Sequence, residues 1–311
     1  MNKLTIGTRG SRLARAQAAY VAGLLRKRFP SLAVDERIIV TEGDKLAGRL
    51  PSSGGDKGLF TRAIEAELLE RTADIAVHSY KDLPTELPHG LCIGAVLERG
   101  PVEDALVGPP AATLESLPAG CRIGVGGIRR AAQVRRLRPD VIALPIQGNV
   151  DTRLKKLDNG DFDAIVLARA GLMRLDLGVR ISSVLEVSSW YHAVGQGALA
   201  IEIREQDDAA AQAVLALDHA LTRAQTDAER SFLGGLGGGC LVPVGVRGSV
   251  AGERLDICGM VCGWGGEPFL EEASTGHPRE AKDIGLRLAE KLLKKGAAEV
   301  LKSVRERQAG L

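Results

Sequence analysis

The sequence predicts an α/β protein of two doubly wound units followed by a small α+β C-terminal unit, and three observations carry that prediction. With 311 residues, 45% of them hydrophobic, the chain has enough apolar mass for two or three cores. Short apolar runs alternate with helical periodicity in its first half, the pattern of a largely parallel sheet. An opening of strand, glycine-containing loop and helix occurs near the start and recurs near residue 122.

The first strand is read over 4–7 and is followed by the polar turn Thr8-Arg9-Gly10-Ser11. A helix follows with Ala14, Ala18, Val21 and Leu25 on one face, and Pro30 ends it. A strand over 34–40, an amphipathic helix marked by Phe60, Ile64, Leu68 and Leu69, and a short buried strand over 75–77 complete the first unit. A loop over 45–55 is expected to be mobile, with the character of a lid. The second opening has a strand over 122–125, Gly126-Gly127 as the loop, and a helix over 128–138 stopped by Pro139. Strands over 141–144 and 164–167 flank a helix around 151–157. After Gly195-Gln196-Gly197 an Ala-rich helical stretch is expected to lead into a helix over 218–233. Strands over 242–250 and 255–261 and a helix over 279–295 then mark the α+β unit.

Composition excludes several functions. Lys and Arg number 41 against 39 Asp and Glu, a net charge of +2, so no bulk field draws the chain to nucleic acid or an anionic membrane. Aromatic residues are only 3%, too few for base-stacking platforms. Charges interrupt every apolar stretch before it reaches the ~18 residues of a membrane helix. The amino terminus meets Arg9, Arg12 and Arg15 without the apolar core of a secretory signal, so a cytoplasmic protein is expected. Five cysteines form no dense framework, which fits a reducing compartment. The Cys258/Cys262 spacing lacks partners for a zinc site, so no metal is expected.

Arginines at strand-to-helix turns are the main chemical signal: Arg9 after the first strand, Arg129 and Arg130 after the later one, and Arg153 and Arg174 near other element ends. A helix amino terminus offers unpaired N–H groups, and a guanidinium beside it adds a bidentate donor for carboxylate or phosphate. The competing reading has Arg129, Arg130, Arg135, Arg136 and Arg138 coating an exposed helix face. The run from Gly124 to Arg129 is not a dinucleotide fingerprint, because Arg129 stands where the third glycine is needed, and the glycines around Lys57 are not an NTPase phosphate loop. Polar residues His78 to Asp82 follow a buried strand and so emerge where a cleft is expected, which makes Asp82 the catalytic candidate; the alternative is a pre-proline turn with Asp82 as a backbone cap. Cys240 follows a glycine-rich stretch, either as a buried free thiol or as a reactive one.

Taken together, these segments resemble the porphobilinogen deaminase (hydroxymethylbilane synthase) family along the whole chain. The resemblance is carried by Thr8-Arg9 with Ser11, Lys57-Gly58-Leu59-Phe60, Ala73 through Ser79 with Lys81-Asp82, Ile128-Arg129-Arg130, Gly148 through Leu154, Ala193 through Ala198, and Gly238-Gly239-Cys240. It implies two periplasmic-binding-protein-like domains, 1–97 with 198–215 and 103–191, and a third over 220–311. It further implies a dipyrromethane cofactor in thioether linkage to Cys240. Porphobilinogen and the growing oligopyrrole are the implied partners, with the protein a monomer. Four porphobilinogens would be condensed with loss of ammonia and the product released by hydrolysis. Asp82 matches the family's catalytic aspartate. The resemblance implies Lys81, Asp82, Gly126, Gly127, Arg129, Arg130 and Arg153 at the cofactor, and Arg9, Ser11, Lys57, Arg153, Arg174 and Gln196 at the substrate.

The chain departs from the family pattern inside this constellation. Val125-Gly126-Gly127 replaces a usual Thr-Ser-Ser, Gln147 replaces a usual arginine, and Asp56 replaces a usual glycine. Arg169 stands where a small or aliphatic residue is usual and is expected to compensate for the lost charge. The departures motivate an alternative, a catalytically altered paralogue or a non-enzymatic binder of a pyrrole or another polycarboxylate. A periplasmic solute-binding protein is a third reading, opposed by the missing signal segment.

Overall fold

The computed structural model describes residues 2–45, 60–238 and 242–310. Lys57, Cys240 and all but the first residue of the loop over 45–55 lie outside the described residues.

The first sheet contains β1 (Lys3–Arg9), β2 (Ala33–Ile39), β3 (Ile75–Ser79), β4 (Leu91–Val96) and β10 (Leu199–Arg204), in the order β2-β1-β3-β10-β4. β1 runs parallel to β2 and β3, while β10 is antiparallel to both its neighbours. Side chains alternate across the strands, and each face gathers its own helix. Leu4, Ile6, Ile75 and Val77 meet Ala18, Val21 and Leu25 of α1 (Arg12–Arg28), along with Ala210 and Val214 of α7 (Asp208–Leu215). On the opposite face Ala76 and Ile39 meet Ile64 and Leu68 of α3 (Arg62–Leu69), and the short α2 (Glu42–Lys45) lies beyond β2.

The second sheet repeats the plan with β5 (Asp104–Val107), β6 (Arg122–Val125), β7 (Ile142–Pro145), β8 (Ala164–Ala168) and β9 (Ser183–Leu185), in the order β7-β6-β8-β5-β9. Here β5 is the antiparallel strand. Ala131 and Val134 of α4 (Ile128–Leu137) cover one face; Leu154 of α5 (Val150–Asp158) and Leu172 of α6 (Arg169–Arg174) cover the other. In the third unit β11 (Val244–Ala251), β12 (Arg254–Cys262) and β13 (Phe269–Gly276) form an antiparallel sheet. It is packed by α8 (Ala220–Gly235), α9 (Ala281–Lys294) and α10 (Ala297–Ala309) around Phe232, Ile257, Leu288 and Leu292.

The two five-stranded units and the smaller third unit agree with the predicted class. One expectation is corrected: residues 199–204, expected as helix, form β10, buried at all six positions. Leu199, Ile201 and Ile203 alternate with Ala200, Glu202 and Arg204, a strand period, but the stretch runs on into the Ala-rich helical segment that follows it and reads as one with it. Helix resumes only at Asp208, where the Asp207 side chain caps the Ala210 N–H. β13 and α10 extend the third unit beyond the elements predicted.

Candidate active site

The candidate residues lie at the carboxyl ends of strands, where an open α/β sheet leaves a crevice. In the first unit β1 ends on Arg9, and Ser11 caps α1 by accepting the Ala14 N–H at 3.3 Å. The Arg9 guanidinium pairs with Asp44 and stacks over the Phe60 ring at 4.1 Å. Burial would raise the Asp44 carboxyl, but Arg9 and Thr41 outweigh it and hold it below its ordinary value. β3 leads into a single 3-10 turn, Tyr80–Asp82, with Tyr80 and Leu83 buried beneath it, Lys81 half-buried and Asp82 exposed. The turn thus anchors its apolar ends and lifts its charges into the crevice. Lys81 Nζ donates to Gln196 Oε1 at 3.2 Å. Burial, reinforced by the charge of Arg130, lowers the Lys81 ammonium to about 8. The Asp82 carboxylate acts electrostatically on both Lys81 and Arg153 and accepts no hydrogen bond from a described residue, so the backbone-cap reading finds no support.

On the facing unit, Arg129 and Arg130 are 8% and 5% exposed, which removes the solvent-coating reading for this pair. Both donate to the buried Asp104 carboxylate, at 2.9 and 2.6 Å. Asp104 also accepts from Trp190 Nε1 and Gln196 Nε2, each at 2.8 Å. Burial opposes its ionisation, yet Arg130 and Arg129 hold it well below the usual carboxylate range. Through Gln196, whose amide links Asp104 to Lys81, this carboxylate joins the paired arginines to the turn bearing Asp82. Farther along α4, Arg135 and Arg136 lie over the Trp264 and Phe269 rings of the third unit, and Arg138 pairs with Asp140.

Arg153 sits in the first turn of α5, which Asn149 caps through the Thr152 N–H, and its Nε donates to the Gly148 carbonyl at 2.7 Å. Burial and the charge of Arg130 lower it to about 10. Gly126 makes this position possible: a Cβ there would stand 2.6 Å from Arg153 Nη1. The adjoining Gly127 has φ +88°, which a larger residue would adopt only with strain. Arg174 donates to the Gly197 carbonyl at 2.7 Å, on the connection between the sheets. Arg169 pairs with Glu103 at 3.2 Å. Gln196 is fully buried and serves as a link within the protein, while the Gln147 carbonyl accepts from Lys156 at 3.3 Å.

Asp104, Trp190 and Arg99 escaped the sequence reading. Arg99 grips Glu229 of α8 through two bonds of 2.7 and 2.9 Å, and Glu229 also accepts the Gly195 N–H. Asp104 is the first residue of β5 and directly follows Glu103, so in the sequence it reads as one of two adjacent acids at a strand edge and gives no sign of such a centre.

A family model described as porphobilinogen deaminase, dipyromethane cofactor binding domain, matches residues 4–212, and one described as porphobilinogen deaminase, C-terminal domain, matches residues 224–294. The chain belongs to the porphobilinogen deaminase family. A relative from Desulforudis audaxviator, named porphobilinogen deaminase, is 45% identical over 303 residues, 97% of this chain and 98% of its own. Relatives of the same name from Synechococcus sp. (strain CC9605) and Syntrophomonas wolfei are each 43% identical, covering 98% of this chain and 98% and 100% of their own. Among solved structures, a methionine binding protein, MetQ, is similar with a TM-score of 0.45 at 11% identity, covering 70% of this chain and 89% of that one.

The residues fit a dipyrromethane. Two pyrroles with an acetate and a propionate each present four carboxylates, and burial and the charge of Arg130 both disfavour the protonated forms of Lys81 and Arg153. Asp104 already serves the paired arginines from below, so anionic groups entering the crevice supply the missing counter-charge. Among the described residues no cluster of His, Cys, Asp and Glu could hold a metal ion, and no helix is long and apolar enough to cross a membrane.

Proposed function

We propose that this porphobilinogen deaminase condenses four porphobilinogens head to tail on a dipyrromethane primer, with loss of ammonia at each addition, and then hydrolyses the chain to hydroxymethylbilane. Asp82 is the catalytic residue. The observation that carries this reading is one exposed carboxylate on a short turn, with Lys81 beside it and Arg153 projecting from the facing unit. Cations bind the carboxylates of each pyrrole, and Asp82 meets the positive charge that develops when the amine leaves.

The roles are those that the family resemblance implies. Arg129 and Arg130, fixed by Asp104, line the primer side with Lys81 and Arg153, and the Gly126-Gly127 turn gives close backbone approach. Arg9, Ser11, Lys57, Arg153 and Arg174 serve the incoming substrate, with Gln196 orienting Lys81 from beneath. Substrate carboxylate competes with Asp44 for Arg9. An Asp82 oxygen accepts the pyrrole N–H of the reacting ring and steadies the azafulvenium cation formed as ammonia departs. Dipyrromethane, when bound through Cys240, supplies the terminal pyrrole carbon to which the first substrate is joined.

We assign the units as domains over 1–97 with 198–215, 103–191 and 220–311, in a monomeric cytoplasmic enzyme; the free thiols of Cys92, Cys121, Cys258 and Cys262 support a reducing compartment. The alternative of an altered paralogue or a simple binder is not favoured, since full-length relatives at 43–45% identity bear the enzyme's name. The test is the denatured intact mass of wild type and Cys240→Ser, beside ammonia release by wild type and Asp82→Asn. The expected result is a dipyrromethane increment on wild type alone, and ammonia release that Asp82→Asn loses. Ammonia release by Asp82→Asn at the wild-type rate would remove Asp82 from the mechanism.

A further inference from the structure

We infer that Arg230 is a positioning residue for the reaction: from α8 it clasps the turn that carries Asp82 and fixes that turn against the third unit. The inference rests on the role proposed above for Asp82. The Arg230 guanidinium lies over the Tyr80 ring, 4.7 Å from its centroid, and donates to the carbonyls of Leu83 at 3.4 Å, Pro84, and Thr85 at 3.1 Å. Tyr80 and Leu83 are the residues on either side of Lys81 and Asp82. One side chain therefore holds both ends of the catalytic turn.

The turn needs an external hold. It is a single 3-10 turn closed by one backbone bond, Leu83 N–H to the Tyr80 carbonyl at 3.3 Å, and such short pieces have little stability of their own. Pro84 contributes no N–H. Three successive carbonyls converge on one planar donor fork whose face is free to stack on an aromatic ring, a combination that suits arginine and that a lysine ammonium does not reproduce. Among the described residues Arg230 makes no ion pair within salt-bridge distance, so its placement is committed to these carbonyls and the ring.

The neighbouring residue completes the grip. Glu229 accepts the Gly195 N–H and pairs with Arg99, and a Cβ on Gly195 would lie 3.2 Å from the Lys81 backbone nitrogen. Consecutive residues of α8 thus hold the catalytic turn and the inter-sheet connection pressed against it.

The test uses full-length Arg230→Met and Arg230→Lys. Steady-state ammonia release gives kcat and KM, intact mass gives primer loading, and amide hydrogen exchange over 80–86 is followed without substrate. The expected result is a wild-type mass increment, faster exchange over 80–86 in both variants, and kcat lower by about 10- to 100-fold with KM within about twofold. Wild-type kcat in Arg230→Met, or full recovery in Arg230→Lys, would overturn the clasp, because neither the fork nor its geometry would then matter. A rise in KM with kcat unchanged would overturn it too, by making Arg230 a binding group. If wild type itself released no ammonia, the functional reading would fall, and exchange alone would judge the clasp: unchanged exchange in the variants refutes it, and faster exchange upholds it.

Discussion

Replacing Asp104 by asparagine isolates the buried centre on which both arginine placement and the link to Lys81 depend. Asparagine keeps the shape but removes the charge and turns one acceptor oxygen into a donor, so some of the four hydrogen bonds from Arg129, Arg130, Trp190 and Gln196 must break. Two guanidiniums at most 8% exposed would lose their counter-charge. Breaking a buried pair by removing one partner costs about 3–5 kcal/mol. At roughly 2–4 °C per kcal/mol for a chain of this order of size, the melting transition of the second unit should fall by about 6–20 °C. Scanning calorimetry at pH 7 measures this, and ammonia release at 20 °C should fall in parallel because Arg129 and Arg130 lose their fixed geometry. The sign of the pH dependence is also set. A carboxyl held below its unfolded value contributes stability that is present above the unfolded value, ~4, and lost as pH falls through the folded one. Wild type should therefore lose stability relative to Asp104→Asn as pH drops below ~4. A variant melting within about 2 °C of wild type, with unchanged turnover, would refute the reasoning.

Three further predictions follow from the same site. Gly126→Ser places a Cβ 2.6 Å from the flexible end of Arg153, so the fold should stand while the guanidinium moves; loss of one charged hydrogen bond, about 1.5–3 kcal/mol, should raise KM roughly 10- to 100-fold. Lys81 is lowered to about 8 and binds carboxylates only when protonated, so kcat/KM for the free enzyme should fall as pH rises through 8; Lys81→Met should lack that limb. Asp82→Asn should lower ammonia release by about 10²- to 10⁴-fold while porphobilinogen affinity, followed by calorimetric titration, stays within a few fold of wild type.

The sequence by itself determined the fold class and the family. The apolar runs over 4–7 and 75–77 and the helical periodicity of Ala14, Ala18, Val21 and Leu25 marked the strands and the helix face that meet in the first core, and the strand-loop-helix order set Arg9, Asp82 and Arg129 at or just after strand ends. It did not reveal that Glu202 and Arg204 of β10, charges that suggest a solvent face, are buried with the rest of the strand. Nor could it find Asp104, because an acid at a strand edge acquires meaning only when Arg129, Arg130, Trp190 and Gln196 meet it across 25, 26, 86 and 92 residues. Gly126 reads in the sequence as a lost hydroxyl and in the structure as the space that Arg153 occupies. Arg169, expected to restore charge, reaches Glu103, and Gln196 lies buried beneath the crevice. Tertiary structure decided these points for one physical reason: the energy of a buried charge is set by what surrounds it, and the surroundings of Asp104, Arg153 and Arg230 come from distant parts of the chain.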